Sequence, residues 1–175
     1  MEIVRVVTGT LDENCYVLKI DDKCLLIDPG ADADKIKEAM GEAKLLGILV
    51  THSHFDHVGA LREFLKNNRK LMVYKKSNLQ DLVEKEIGPF KFKCYYTPGH
   101  SSDSVSFYFK EENVLFAGDF IFKGTIGRTD LPTGSSADMQ KSLEKSEEFA
   151  DTTKIYSGHG ELTTLEEERK NNPYL

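Results

Sequence analysis

Apolar residues recur along this chain in short runs, and clusters of turn residues separate one run from the next. Three strands are predicted near the start, over residues 3–7, 15–20 and 24–28. Residues 45–50 form a continuous apolar run, which predicts a strand buried on both faces. Further strands are predicted over residues 71–74, 92–96, 104–109, 114–117 and 154–157.

Helical patterns lie between these strands. They cover residues 32–40 with Asp32 or a neighbouring aspartate as N-cap, 58–67, 77–86, a segment from Ser135 or Ser136 to Ala150, and 164–171. The helix over residues 77–86 is highly charged and is expected to end at Gly88 and Pro89. The strands and helices fall into two similar halves, each a sheet backed by helices. This order predicts a mixed α/β fold, a four-layer αβ/βα sandwich, in one domain over residues 1–175.

Composition narrows the class of protein. The 175 residues suffice for a domain with a buried core, and 39% hydrophobic with 30% charged residues is typical of a globular chain. A net charge of −6 without a basic block argues against nucleic acid and anionic membranes as partners. No membrane helix or secretion signal is visible, so we expect a cytoplasmic protein. Cys15, Cys24 and Cys94 lie in separate apolar segments, which predicts buried free thiols.

Three of the five histidines fall in one hexapeptide directly after the apolar run 45–50. His52, His54 and Asp56 alternate there, so an extended backbone would point them the same way. The helical pattern that starts at Val58 indicates a turn at His57, with Asp56 as a candidate cap. The segment is therefore expected to face two metal ions, with His52 and His54 on one and Asp56 and His57 on the other.

Three further donors stand at the ends of predicted strands. His100 ends the turn 97–100, Asp119 follows Gly118, and His159 lies between two glycines. Polar residues at strand ends commonly gather at one edge of a sheet and form an active site. The seven donors supply three ligands per ion with one shared carboxylate, and Asp119 is the natural bridge. Asp28 also ends a strand, where a role in supporting a ligand and a role in a turn or helix cap are both open.

Imidazole and carboxylate donors favour zinc, with iron and manganese as the other candidates. Two such ions held a few ångströms apart lower the pKa of a shared water towards neutrality and make hydroxide available. The donors therefore predict a hydrolase with two divalent metal ions, in which Asp56 and Asp119 also serve catalysis.

The motif 51–57, together with Pro98-Gly99-His100, Gly118-Asp119 and Gly158-His159-Gly160, resembles the metallo-β-lactamase superfamily. The resemblance covers nearly the whole chain and implies the sandwich fold. It also implies a division of ligands, with Asp119 as the bridge. It assigns His52, His54 and His100 to the first metal, and Asp56, His57 and His159 to the second.

Within that superfamily the chain is similar to short glyoxalase II proteins, because Asp119 stands where the commonest zinc β-lactamases have a cysteine. The stretch Gly127-Arg128-Thr129-Asp130 carries the finer resemblance. It implies that Arg128 contacts a glutathione carboxylate of the substrate, and the alternative is an ion pair between Arg128 and Asp130. The C-terminal helical domain of true glyoxalase II is expected to be missing.

The resemblance implies hydrolysis of small thioesters or esters by a metal-bridging hydroxide, with S-lactoylglutathione as one candidate substrate. Two alternatives remain open. One is an iron-dependent persulfide dioxygenase that uses one iron held by His52, His100 and Asp119. The other is a non-catalytic metal-binding or interaction protein on the same scaffold.

Overall fold

A computed structural model describes residues 1–66, 68 and 70–175, and it places them in two packed β-sheets. The first sheet has the order β1-β2-β3-β4-β5. Its first three strands are antiparallel, and β3, β4 and β5 run parallel. The strands are β1 (Glu2–Thr8), β2 (Glu13–Ile20), β3 (Lys23–Ile27), β4 (Lys44–Leu49) and β5 (Met72–Tyr74).

The second sheet has the order β13-β12-β9-β8-β7-β6. Strands β6 to β9 form an antiparallel meander, and β12 runs parallel to β9. The strands are β6 (Glu84–Ile87), β7 (Phe90–Tyr96), β8 (Val105–Phe109), β9 (Val114–Gly118), β12 (Lys154–Ser157) and β13 (Thr163–Thr164). A separate small hairpin joins β10 (Ile121–Phe122) to β11 (Thr125–Ile126).

Helices cover the outer face of each sheet. Helices α1 (Ala33–Met40), α2 (Phe55–Val58) and α3 (Leu61–Lys66) pack on the first sheet, and α4 (Ser136–Glu144) and α5 (Leu165–Asn171) pack on the second. Alternate residues of β2 face opposite ways: Leu18 points into the core between the sheets, while Val17 packs against the helices. The predicted four-layer αβ/βα sandwich is confirmed.

The core between the sheets is rich in aromatic side chains. Phe107 is fully buried, and its ring lies edge-on to Phe92 with 5.5 Å between centroids.

Phe107→Ala is expected to lower the free energy of unfolding by about 4 kcal/mol, because it removes a large buried side chain and leaves a cavity. Urea unfolding measures this value. Phe55→Ala is the matched control, since Phe55 is 74% exposed and its loss should leave stability nearly unchanged. Equal losses in the two variants would contradict this packing.

The prediction of a charged helix over residues 77–86 is wrong. Lys76–Asn78 forms one 3-10 turn, and Glu84–Ile87 is an edge strand paired with β7. Gly88 and Pro89 connect the two strands as a tight hairpin turn, for which the positive φ of Gly88, 58°, is suited. Leu79, Leu82 and Val83 have helical spacing, but strand pairing outweighs this local preference. Charged side chains along the strand are typical of an exposed sheet edge.

The helix predicted over residues 58–67 is also different in the structure. It is divided into α2 and α3, because Ala60 N–H donates to Pro29 O (3.0 Å) instead of continuing the helical ladder. Its last predicted residue, Asn67, lies outside the described residues. Since α2 begins at Phe55, Asp56 lies inside its first turn and is not the cap.

The other helices are present as predicted, but their caps or last residues differ from the prediction. Asp32 occupies the N-cap position of α1, but its carboxylate accepts from Gly9 N–H in place of a helical N–H. Ser135 caps α4, which ends at Glu144 and continues as a 3-10 turn over Lys145–Glu148.

The three cysteines are buried and free, as predicted. Every helix in the described part of the chain is too short or too polar to cross a membrane.

Candidate metal centre

The loops that carry the seven predicted donors follow the ends of strands that meet at one edge of the sandwich. The segment with His52, His54, Asp56 and His57 follows β4, and His100 follows β7. Asp119 follows β9, and His159 follows β12. Because β9 and β12 are parallel neighbours, the residues after them lie side by side. The structure brings all seven predicted donors together.

His52, His54 and His100 form a first cluster. His54 Nδ1 lies 3.0 Å from His52 Nε2 and 2.9 Å from His100 Nε2. One nitrogen of each ring lies within 4.8 Å of the other two, which is a spacing that one ion can occupy. The site therefore offers three imidazole donors to a single metal, in line with the usual ligand count of catalytic zinc.

Asp56, His57 and His159 form a second cluster beside the first. Asp56 Oδ2 lies 3.2 Å from His159 Nε2 and 3.8 Å from His57 Nε2. These donor atoms also lie within 4.8 Å of one another. The donors of segment 52–57 fall into two clusters, but the turn that separates them comes after His54, where α2 begins, and not at His57 as predicted.

Asp119 contacts both clusters. Its Oδ2 lies 3.3 Å from His100 Nε2 and 3.7 Å from His159 Nε2, while its Oδ1 lies 3.3 Å from His57 Nε2. The predicted bridge position is therefore the position that the carboxylate occupies. His57 Nε2 and Asp119 Oδ1 are buried, and neither has a hydrogen-bond partner among the described residues. Buried polar atoms without partners are costly, so this pair fits a bound cation.

Two of the histidine rings, His100 and His159, are held from outside the clusters. His100 Nδ1 lies 2.8 Å from Arg128 O, and His159 Nδ1 lies 3.0 Å from Leu11 O. Since a carbonyl oxygen only accepts, both Nδ1 atoms donate, and Nε2 keeps its lone pair facing inward. This arrangement fixes the tautomer and the ring orientation in the way that metal-binding histidines require.

Asp28 supports the second cluster through the ring of His57. Its Oδ2 lies 2.9 Å from His57 Nδ1, and its two oxygens accept from Thr51 N (2.7 Å) and Thr51 Oγ1 (2.5 Å). Of the two roles left open by the sequence, the structure favours support of a histidine.

Burial controls the ionisation of two histidines of the first cluster, His52 and His54. It lowers the pKa of His52 to about 2, and the neighbouring His57 adds to the effect. It also lowers the pKa of His54, where His100 acts in the same direction. These imidazoles are therefore neutral at pH 7, which is the form that binds a metal.

The second cluster favours a positive charge. Burial alone would lower the pKa of His57, but contacts with Asp119 and Asp28 outweigh burial and hold that pKa well above its ordinary value. Burial would raise the pKa of Asp119, but the His57 ring outweighs it and holds the pKa of Asp119 below its ordinary value. A cation is therefore electrostatically favourable between these residues.

Close packing at this point depends on Gly158. A Cβ added there would meet Asp119 Oδ1 and would lie 2.7 Å from His57 Cε1. Glycine is therefore the residue that lets the β12 loop approach the bridging carboxylate.

Arg128 is exposed and forms a bidentate ion pair with Asp130, with both N–O distances at 2.7 Å. This ion pair is the alternative to a glutathione contact that the sequence left open for Arg128. The backbone oxygen of Arg128, rather than its side chain, contacts the site through His100.

Sequence reasoning missed Glu13. This residue is buried, and Oε1 lacks a hydrogen-bond partner among the described residues and lies 4.0 Å from His57 Nδ1. Burial, and then the charge of Asp28, raises the pKa of Glu13 to about 9, so this carboxyl is neutral at pH 7. A glutamate at the head of the apolar run 15–20 is the signal that could have drawn attention to it.

Comparison with known families agrees with the fold and the donors. The family model of the metallo-beta-lactamase superfamily matches residues 8–74 and 73–159. Probable metallo-hydrolase YqgX of Bacillus subtilis is 35% identical, over 98% of this chain and 96% of that protein. Hydroxyacylglutathione hydrolase GloC of Haemophilus influenzae is 28% identical, over 100% of this chain and 98% of that protein. The chain belongs to the metallo-beta-lactamase superfamily.

Solved structures in the same superfamily share the whole fold. BLEG-1 B3 metallo-beta-lactamase has a TM-score of 0.93 at 33% identity, with 99% of both chains covered. TTHA1623 in a di-iron-bound form has a TM-score of 0.87 at 30% identity, covering 98% of this chain and 100% of that one. ETHE1 from Myxococcus xanthus has a TM-score of 0.87 at 26% identity, covering 99% of this chain and 84% of that one. One neighbour is named a B3 metallo-beta-lactamase and another is a di-iron-bound form, so the likeness supports the superfamily and does not select one reaction.

Proposed function

We propose that this protein is a binuclear metal-dependent hydrolase of small thioesters or esters. The observation that carries the proposal is the pair of three-donor clusters with Asp119 in contact with both. His52, His54 and His100 would hold the first ion, and Asp56, His57 and His159 the second. Zinc suits these donors best, with iron or manganese next, and the di-iron form of TTHA1623 supports iron as a candidate.

Two divalent ions bound here would supply hydroxide at neutral pH and would stabilise negative charge on a carbonyl oxygen. The protein's own part is to orient the reactants. Asp56 is partly exposed at the site, so its carboxylate can accept a hydrogen bond from the attacking water and align it. Asp119 is more deeply buried and fixes the two clusters relative to each other.

A thioester is the substrate class that the relatives favour, since GloC is named a hydroxyacylglutathione hydrolase. The glutathione part of that name has less support in this chain. Arg128, the predicted contact for a glutathione carboxylate, is already paired with Asp130. The match to the hydroxyacylglutathione hydrolase of Salmonella dublin covers 85% of this chain and 62% of that protein.

The dioxygenase alternative has one supporting observation, the likeness to ETHE1. It would need one iron at His52, His100 and Asp119. The complete second cluster favours two ions instead, because Asp56, His57 and His159 keep donor spacing of their own. Oxygen consumption with glutathione persulfide separates the two activities: uptake at a rate above thioester hydrolysis would favour the dioxygenase.

The proposal predicts hydrolysis that depends on bound metal. We expect protein loaded with zinc, iron or manganese to cleave small thioesters, and a strong chelator to abolish turnover, because the reactive hydroxide is lost with the ions. Readdition of metal should restore the rate. The panel should include S-lactoylglutathione, a neutral thioester, an ester and a β-lactam, with thiol release or absorbance as readout. Absence of turnover on the whole panel, with two ions bound, would instead favour the non-catalytic binding protein.

A further inference from the structure

An open cleft of about 940 Å³ lies beside the candidate metal centre. The loop between β1 and β2 forms one wall, residues 30–35 contribute a second part, and Phe55, Asp56 and α3 complete it. Several residues along it are glycine or alanine, which leaves room for a ligand between the larger side chains. Asp56 is the one donor of the metal centre among the described lining residues, so the cleft remains open beside that centre.

The cleft is continuous with the metal centre at two points. Asp56 lines the cleft while its Oδ2 lies 3.2 Å from His159 Nε2. Leu11, also in the wall, accepts a hydrogen bond from His159 Nδ1 through its backbone oxygen. A substrate whose carbonyl lies at the metal centre would therefore have one of its substituents in this cleft.

Two large apolar side chains are exposed in the walls. Phe55 is 74% exposed and Leu11 is 51% exposed, and they come from different loops that face the same cleft. Apolar side chains exposed next to a polar centre commonly mark a ligand site. They offer hydrophobic contact to a ligand but no hydrogen bond, so the matching group is apolar.

The charges around the cleft disfavour an anionic ligand. Asp32, Asp34 and Glu63 line it, and among the described lining residues Lys35 is the one cation. Lys35 already donates to Val7 O at 3.1 Å and lies 3.5 Å from Asp32. A glutathione moiety, which carries two carboxylates, would find no free cation here.

We propose that this cleft binds the acyl group of the substrate, and that the acyl group is an uncharged alkyl chain packed against Leu11 and Phe55. This inference rests on the proposed thioesterase function and narrows its substrate to thioesters of apolar acids. The thiol side of the substrate then extends away from the cleft, over the first cluster.

The test uses thioesters of one neutral thiol, N-acetylcysteamine, with straight acyl chains from acetyl to octanoyl. In the metal-loaded protein, kcat/KM should rise about threefold for each added methylene until the cleft is filled. Phe55→Ala and Leu11→Ser should each flatten this dependence, with about a tenfold loss for octanoyl and little change for acetyl. Phe55→Leu should recover much of the loss.

Met72→Ala is the matched control, because Met72 is 52% exposed on the edge strand β5, outside the cleft. It should leave the chain-length dependence unchanged, and metal content should be the same in all variants. A chain-length dependence that is absent, or that survives both cleft substitutions, overturns the acyl site while hydrolysis itself stands. Failure of the metal-loaded protein to cleave any of these thioesters overturns the proposed function instead.

Discussion

Asp119→Ala is expected to lower kcat roughly a thousandfold, the largest effect of any single substitution in this chain. Asp119 contacts donors of both clusters, through His57 on one side and His100 on the other. If Asp119 bridges two ions as proposed, its removal would take one ligand from each ion, together with the negative charge that favours them. Steady-state hydrolysis and metal content per chain should therefore fall together.

Asp119→Asn separates the loss of the carboxylate charge from misfolding, because asparagine keeps the shape of the side chain and removes its charge. It should lose most of the activity while retaining the unfolding transition of the parent protein. Asp22→Ala is the control, since Asp22 is exposed and pairs only with Lys23 in the described residues. Near-normal turnover in both Asp119 variants would contradict the role of a bridging carboxylate.

Asp28→Asn is expected to weaken binding of the second ion by about 10- to 100-fold, although Asp28 is not one of the six residues proposed to hold the two ions. Its carboxylate accepts from Thr51 twice and orients His57 through Nδ1. An asparagine places an amide group against these donors and loses the charge that favours the required tautomer. Metal titration, followed by calorimetry, measures the loss for each ion separately.

The matched control is Asp21→Asn. Asp21 and Asp28 both have positive φ, 54° and 49°, and asparagine tolerates that conformation. Asp21 lies in the turn between β2 and β3, away from the donors, so its variant should bind metal normally. If Asp28→Asn changed only the free energy of unfolding and left both metal affinities intact, the support of His57 would be refuted.

The sandwich fold and the grouping of the seven donors could both be predicted from sequence. Donors such as His100 and His159 stand directly after apolar runs, and strand ends that share an edge bring their loops together. The alternation of His52 and His54 and the expectation of a turn into a helix divided that segment between two clusters, although the helix begins at Phe55 rather than at Val58. The chemistry is encoded locally, in residue types whose metal preference does not depend on distant packing.

Other features depend on contacts that the local residue pattern does not reveal. Residues 84–87 form a strand because β7 pairs with them, and the break after α2 follows from the carbonyl of Pro29. Glu13 becomes a neutral acid because burial in the folded chain, and then the charge of Asp28, raises its pKa. The sequence left two roles open for Arg128, a contact to a glutathione carboxylate and an ion pair with Asp130. The structure shows the ion pair.

Anomalous diffraction from crystals of metal-saturated protein, at the absorption edge of the bound element, tests the central claim most directly. We predict two peaks per chain, the first among His52, His54 and His100 and the second among Asp56, His57 and His159. Asp119 should contact both. A single peak, or metal bound only at other residues while these donors remain empty, would contradict a binuclear centre.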